Sequence, residues 1–271
     1  MSKPTLYIVK IGGNVIDNPG KLRAFLSDFA QIKALKILVH GGGKIATEVA
    51  SKLGVTTQMI DGRRITDQAM LDVVTMVYGG LVNKKIVAQL QSWGCNAIGL
   101  TGADAGLIQA VKRPVKTIDY GFVGDVTAVS NAGFQLFLEN GLVPIVAPLT
   151  FENTNGTMLN TNADTMASAI AVALTSFFSV NLAYCFEKKG VLANPDDDDS
   201  VIATLTPENY DTFKANGVIN KGMIPKLDNA FEALKSGVLE VTICHADELR
   251  TALENGQVGT RVVNGSVVLG R

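Results

Sequence analysis

Again and again along this chain a short apolar run of strand-forming residues stops at glycine, and a stretch of helical periodicity follows. Thr5–Ile11 stops at Gly12-Gly13, residues 36–40 stop at Gly41-Gly42-Gly43, and residues 95–101 stop at Gly102. Helical stretches follow near residues 19–33 and 44–53. Thr66 is placed to cap a long helix that carries Gly79-Gly80 and ends near Trp93. Apolar runs without alternation belong to strands buried on both faces. Strands that alternate with helices therefore predict a mainly parallel sheet covered on both sides, an α/β fold.

The remaining segments fit that plan with one exception. Residues 116–129 alternate polar and apolar side chains around a glycine turn, the pattern of an exposed β-hairpin. A strand is expected over residues 143–148, then a turn at 153–156 leading to Asn160-Thr161-Asn162-Ala163-Asp164, which opens an apolar helix. The apolar stretch 163–186 is interrupted by Asp164, Ser168, Thr175, Ser176, Ser179 and Asn181, so it reads as a buried helix and a buried strand, not a membrane span. The second half predicts a strand at 182–186, helices at 207–215 and 225–236, a strand at 238–244 and a last edge strand at 259–263. A division near residues 174–180 would give two lobes, residues 1–174 and residues 175–271, within one continuous domain.

The chemistry of the whole chain excludes several classes. A formal net charge of -1 gives no attraction to nucleic acid or an anionic membrane. With 47% hydrophobic and 18% charged residues in 271, the chain reads as a soluble globular protein. Residues 1–4 are too short and polar for a secretory signal, and Lys10 falls where its apolar core would lie. Cys95, Cys185 and Cys244 lack CxxC spacing, and with only His40 and His245 beside them no zinc site is supported; no protein metal ligands are expected. The odd cysteine count suits a reducing compartment, so a cytoplasmic location is expected.

Glycine after a strand lets backbone N–H groups approach an anion, and a helix starting there adds a favourable dipole. His40-Gly41-Gly42-Gly43-Lys44 has that form, although a plain tight turn would look the same. It is neither a GxxxxGK[ST] loop nor a GxGxxG fingerprint. Lys10 stands inside an apolar strand, where burial is costly unless its amine meets water or an anion. Lys226 stands in the first turn of an expected helix, a mildly unfavourable place for a cation. Asp164 reads as a helix cap or as a carboxylate that orients two lysines. Arg64 offers a bidentate clamp for a carboxylate.

Taken in order, Val9-Lys10-Ile11-Gly12-Gly13, His40-Gly41-Gly42-Gly43, Gly62-Arg63-Arg64-Ile65-Thr66-Asp67, Val82-Asn83-Lys84, Gly121-Phe122-Val123-Gly124-Asp125, Asn160-Thr161-Asn162-Ala163-Asp164, Gly222-Met223-Ile224-Pro225-Lys226 and Gly259-Thr260-Arg261 resemble the N-acetylglutamate kinases of the amino-acid kinase family. The resemblance runs from residue 5 to about residue 263. The Lys-x-Gly-Gly opening is shared with aspartate, carbamate, glutamate 5- and uridylate kinases, while the Arg64 and Asn160 elements are more specific.

The resemblance implies an open αβα sandwich built into a homodimer, with the acylated amino acid in the N-terminal lobe and ATP with Mg²⁺ in the C-terminal lobe. It implies that Lys10 and Lys226 neutralise the transferring phosphoryl group and that Asp164 orients them. It further implies that Gly42 and Gly43 bind substrate through backbone amides, Arg64 grips the α-carboxylate, Asn160 holds the amino-acid end, and Gly12 and Gly13 cradle phosphate oxygens. Where the family usually carries Ser/Thr-Asp-Val-x-Gly, this chain has Phe186-Glu187-Lys188-Lys189-Gly190-Val191. Glu187 and Gly190 are then the expected nucleotide contacts, and Lys188 and Lys189 are departures. The acidic run 196–199 is expected to be a solvated loop. Inhibitor-sensitive relatives carry an extra N-terminal helix, and with four residues before Thr5 weak sensitivity to arginine is expected.

A side-chain carboxylate is already ionised at neutral pH, so this reaction requires no general base and no catalytic histidine or cysteine. The competing readings are a kinase for aspartate, glutamate or uridylate, a silent metabolite sensor, and a kinase for N-succinylglutamate. The last would want a cation near the acyl pocket, for which Arg63, Lys84 and Arg113 are candidates.

Overall fold

Eight strands form the central sheet of the computed structural model, which describes residues 2–60, 62–219, 223–256 and 258–265. They are β1 (Thr5–Ile11), β2 (Leu35–Val39), β3 (Ala97–Leu100), β4 (Val143–Val146), β5 (Ser179–Phe186), β6 (Thr204–Leu205), β7 (Glu240–His245) and β8 (Thr260–Val262). Their order across the sheet is β6-β8-β7-β5-β1-β2-β4-β3. Every pair is parallel except β7 with β8. The sheet is therefore mainly parallel and covered on both faces, as the strand–helix alternation predicts.

Ile8, Leu182 and Tyr184 join the core on one face with the helices Ala163–Leu174 and Ile224–Lys235. Val9, Ile11 and Leu38 join the core on the other with Pro19–Gln31 and the helical segments between residues 68 and 92. The period of two along each strand divides the apolar residues between these cores. Lys36 on β2 is buried, and its Nζ donates to the carbonyls of Phe29, Ala30 and Ile32 at 2.7–2.9 Å, closing the end of helix Pro19–Gln31. Among the described residues no helix is long and apolar enough to cross a membrane.

The chain leaves β1 toward β2 on one side, and β5 pairs with β1 on the other, from Thr5↔Ser179 to Ile11↔Cys185. Such a reversal opens a crevice beyond the carboxyl ends of the strands, where parallel sheets bind ligands. A four-stranded sheet, in the order Met158–Asn160, Leu149–Phe151, Ile108–Lys112 and Gly124–Val129, brings Asn160 to it.

Four local expectations are corrected. The hairpin expected within residues 116–129 is made instead by Gly124–Val129 with Ile108–Lys112, and residues 113–123 connect them. That connection is drawn against Thr66 by Gly121, at φ +72°, where a Cβ would stand 2.1 Å from the Thr66 carbonyl. Asp67, not Thr66, caps the helix Gln68–Val74, accepting from Met70 N at 2.8 Å, because Thr66 is buried in bonds to residues 120 and 122. The expected long helix contains a π-helical stretch, Thr75–Val82, around Gly79-Gly80. Finally, β8 is not the edge, since β6 lies outside it.

Candidate active site

Beyond the ends of β1, β2 and β5 lies a cleft of about 640 Å³, and beside it a smaller one of about 200 Å³. Gly41, Gly42 and Gly43 line both, so one strip of backbone divides the two spaces. Lys10, Gly12, Gly13, Glu187, Gly190 and Lys226 line the larger cleft, and Arg64 and Asn160 line the smaller. The sequence-derived candidates thus meet around this strip although they are scattered along the chain.

At the junction stands Asp164 between two lysines. Lys10 Nζ lies 2.6 Å from its Oδ1 and Lys226 Nζ 2.7 Å from its Oδ2. Asp164 does not cap its own helix. Asn162 does, accepting from the amides of Asp164 and Thr165 at 2.9 and 3.0 Å, which frees the Asp164 carboxylate to face the lysines. The face of Phe186 lies 4.4 Å from the Lys226 ammonium and 5.4 Å from that of Lys10, a favourable place for a cation. Burial holds Lys10 below the ordinary lysine range against the pull of Asp164, and Lys226 adds to the lowering. Burial pushes the Asp164 carboxyl up, but the two ammoniums outweigh it and hold the group below the usual carboxylate range. Two ammoniums on one carboxylate leave a net positive charge at the cleft, suited to a phosphoryl group.

Gly42 adopts φ +142°, a conformation L side chains rarely take, and a Cβ there would press on Tyr78 and Val82 at 3.2 and 3.3 Å. Gly43 opens the helix Gly43–Lys52. Gly12 donates its own N–H to the Cys185 carbonyl at 3.1 Å, so it offers close approach and not a phosphate donor. Gly190 has a packing reason as well: a Cβ would come 2.7 Å from Thr260 Oγ1, which accepts from Val191 N. This contact ties β8 to the cleft wall at Val191, and the fork between Arg261 and Glu240 ties β8 to the start of β7.

Arg64 is buried at the back of the smaller cleft. Its Nη2 donates to Gly43 O at 2.8 Å and Thr47 Oγ1 at 2.9 Å, and its Nη1 to Thr57 Oγ1 at 3.2 Å. Asn160 donates to Thr66 Oγ1 at 3.0 Å, and Thr66 in turn donates to Arg64 O. Of the three cations considered for a longer acyl chain, Arg113 lines the small cleft but is forked onto Asp125. Lys84 donates to Gly99 O at 2.9 Å. Arg63 lines the small cleft and is exposed. Lys188 and Lys189 pair at 2.6 Å with Asp198 and Asp199, so the unexpected lysines and the acidic run answer each other on an exposed loop.

Sequence reasoning missed Tyr78, Phe186 and Asn14, whose side chain donates to Glu187. Phe186, the last residue of β5, was the most legible of these, since an aromatic at a strand end over a ligand-bearing cleft has a cation or ring to meet. Gly222 of the motif before Lys226 lies outside the described residues. No group of three or more metal-ligating side chains occurs among the described residues.

Residues 5–245 match the amino acid kinase family. An acetylglutamate kinase of Cytophaga hutchinsonii is 60% identical over 260 residues, covering 95% of this chain and 98% of that protein. One of Phocaeicola vulgatus is 56% identical over 248 residues, covering 91% and 96%. The crystal structure of smu.665 from Streptococcus mutans superimposes with a TM-score of 0.77 at 28% identity, covering 95% of this chain and 98% of that one.

Proposed function

The chain belongs to the amino acid kinase family, and from that membership we propose how its two clefts transfer the γ-phosphoryl group of ATP to the side-chain carboxylate of N-acetyl-L-glutamate. The products are N-acetylglutamyl 5-phosphate and ADP, a step of arginine biosynthesis. The observation that carries the reading is the Lys10–Asp164–Lys226 group beside the glycine strip shared by both clefts.

ATP takes the larger cleft, with Gly12, Gly13, Glu187 and Gly190 along it. The acylated amino acid takes the smaller, its α-carboxylate on Arg64 and its amino-acid end on Asn160. One side-chain carboxylate oxygen attacks the γ-phosphorus as the bond to the bridging oxygen of ADP breaks. The attacking oxygen is ionised at neutral pH, so no proton moves. Lys10, Lys226 and the amides of Gly42 and Gly43 stabilise charge on the transferring oxygens, each donor contributing about 3–4 kcal/mol. Asp164 holds both lysines charged and in place.

Magnesium fits this site as a companion of the nucleotide. It prefers oxygen donors and is held through phosphates and one or two carboxylates. Both oxygens of Asp17, which lines the larger cleft, are buried without a hydrogen bond, so Asp17 would hold it alongside the phosphates. The metal would supply charge neutralisation on the phosphates.

Residues 1–174 supply the acyl-substrate lobe and residues 175–271 the nucleotide lobe of one shared sheet, in a cytoplasmic homodimer. Acetyl is favoured over succinyl because Arg113 is engaged by Asp125 and Lys84 by Gly99 O, which leaves exposed Arg63 as the one cation of the three for a longer acyl chain. Hydroxylamine trapping of the acyl phosphate tests the reading with N-acetylglutamate, N-succinylglutamate, glutamate and aspartate. ATP-dependent hydroxamate from N-acetylglutamate above the others is expected. Faster reaction with the succinyl compound, or none with any, would overturn it.

A further inference from the structure

Val82-Asn83-Lys84 is a motif of the chain with no part in the chemistry above, and His40 is a fully buried side chain with none. The two meet. His40 Nδ1 lies 2.8 Å from Gly41 O, which can only accept, so the proton is on Nδ1. Asn83, 1% exposed, places Nδ2 3.0 Å from His40 Nε2 and 2.8 Å from Ile145 O. Its Oδ1 lies 3.3 Å from the Lys84 ammonium, which can only donate, so the amide cannot be reversed. His40 Nε2 is therefore an acceptor and the ring a single neutral tautomer. Burial agrees, drawing its pKa down to about 4. Gly99 leaves the room: a Cβ there would stand 1.9 Å from Asn83 Oδ1 and 2.7 Å from Lys84 Nζ.

The carbonyl of Gly41 and the N–H of Gly42 belong to one planar trans peptide and point in opposite directions. Holding the oxygen on buried His40 aims the Gly42 N–H the other way. From the far side Tyr78 and Val82, on the π-helical stretch, close on Gly42 within 3.2–3.3 Å of where a Cβ would be. We propose that His40 and Asn83 are positioning residues for phosphoryl transfer, a relay from Lys84 through Asn83 and His40 that fixes the direction of the glycine-strip amides. The proposal rests on the role given above to Gly42 and Gly43.

The chain has two histidines, so His245→Gln leaves His40 as the sole imidazole for nitrogen-15 NMR. The expected spectrum is the Nδ1–H tautomer, unchanged between about pH 5.5 and 8.5. The Nε2–H tautomer, or a ring titrating near 6.5, would overturn the proposal. This readout needs no turnover, so its failure is distinct from failure of the assigned reaction.

Kinetics supply the second arm. Asn83→Ala and Gly99→Ala are expected to lower kcat/KM for the acylated amino acid on the order of ten- to a hundred-fold, with KM for ATP within about two-fold. His40→Asn, whose amide can donate toward Gly41 O, is expected to recover about ten-fold over His40→Leu. Variants that lose only thermal stability, with kcat and both KM values unchanged per folded molecule, would reduce the relay to a structural role and overturn the proposal. Should Asn83→Ala not fold, the NMR result and Gly99→Ala decide.

Discussion

Replacing Asp164 by asparagine keeps the shape of the central group and removes its only negative charge. Lys10 and Lys226 stand 2.6 and 2.7 Å from the carboxylate, and the side chains of Asp164, Lys10 and Lys226 are 12%, 9% and 28% exposed. Breaking a buried ion pair from one side costs about 3–5 kcal/mol, because a charge is left unpaired. The partial exposure of Lys226 sets the expectation near 3 kcal/mol, a fall in Tm of roughly 6–12 °C for a chain of this size. The same change leaves two ammoniums facing the cleft without a counter-charge, so bound ATP must restore part of what was lost. The assay is thermal unfolding of both proteins with and without ATP. The variant should melt lower alone, gain more from ATP, and turn over about a hundred- to a thousand-fold more slowly. The carboxyl is held below its unfolded pKa, so its contribution is present above about pH 4 and fades as pH falls through the folded value. The two stability curves should therefore converge only in acid. An Asp164→Asn protein as stable as the parent at neutral pH, with an equal ATP shift, would refute the reasoning.

Burial lowers the pKa of Lys10, so the alkaline limb of kcat should begin below the ordinary lysine value of about 10.4, and Lys10→Arg should abolish that limb. Arg64→Lys removes a fork that Gly43 and Thr47 help to hold, and should raise KM for the acylated substrate about ten- to a hundred-fold while KM for ATP stays unchanged in initial-rate assays. His40 titrates near 4 when folded and about 6.5 when unfolded, so the unfolded chain binds the proton first. Stability should fall as pH drops between those values, by roughly 3 kcal/mol from this group, which urea titrations of the parent and His40→Asn would separate. Lys36→Met leaves the carbonyls of Phe29, Ala30 and Ile32 without their donor, and should lower unfolding free energy by about 1–3 kcal/mol in urea with kcat retained.

The strands that carry the sheet were legible because both faces are buried and the residues are continuously apolar; β1 lies where its run of residues predicts. Short pieces were not. β6 is two residues long and takes its place from β8, a partner far along the chain that local pattern does not reveal. The hairpin was misplaced because alternation in residues 116–120 comes from a loop pinned to Thr66, which periodicity alone cannot tell from a strand. Lys10 and Lys226 were legible as cations in poor local settings, and the structure gives the reason in their shared carboxylate. Asp164 looked like a cap until Asn162, two residues earlier, took that task. The π-helical turn was out of reach, since Gly79-Gly80 does not announce it and its Tyr78 and Val82 pack on Gly42, far away in sequence. Resemblance gathered the site residues before any geometry did. Geometry then supplied what resemblance had not: the Arg113–Asp125 fork, the glycine strip between two clefts, and reasons for Gly99, Gly121 and Gly190.

The central claim is that a side-chain carboxylate oxygen attacks the γ-phosphorus of ATP at the Lys10–Asp164–Lys226 group. N-acetylglutamate labelled with oxygen-18 in its side-chain carboxylate, turned over with ATP and trapped by hydroxylamine, tests it directly. Hydroxylamine attacks the acyl carbon, so the bridging oxygen leaves with the phosphate. The account predicts one labelled oxygen in each phosphate released, and none formed by Lys10→Ala. Phosphate released without label would contradict it.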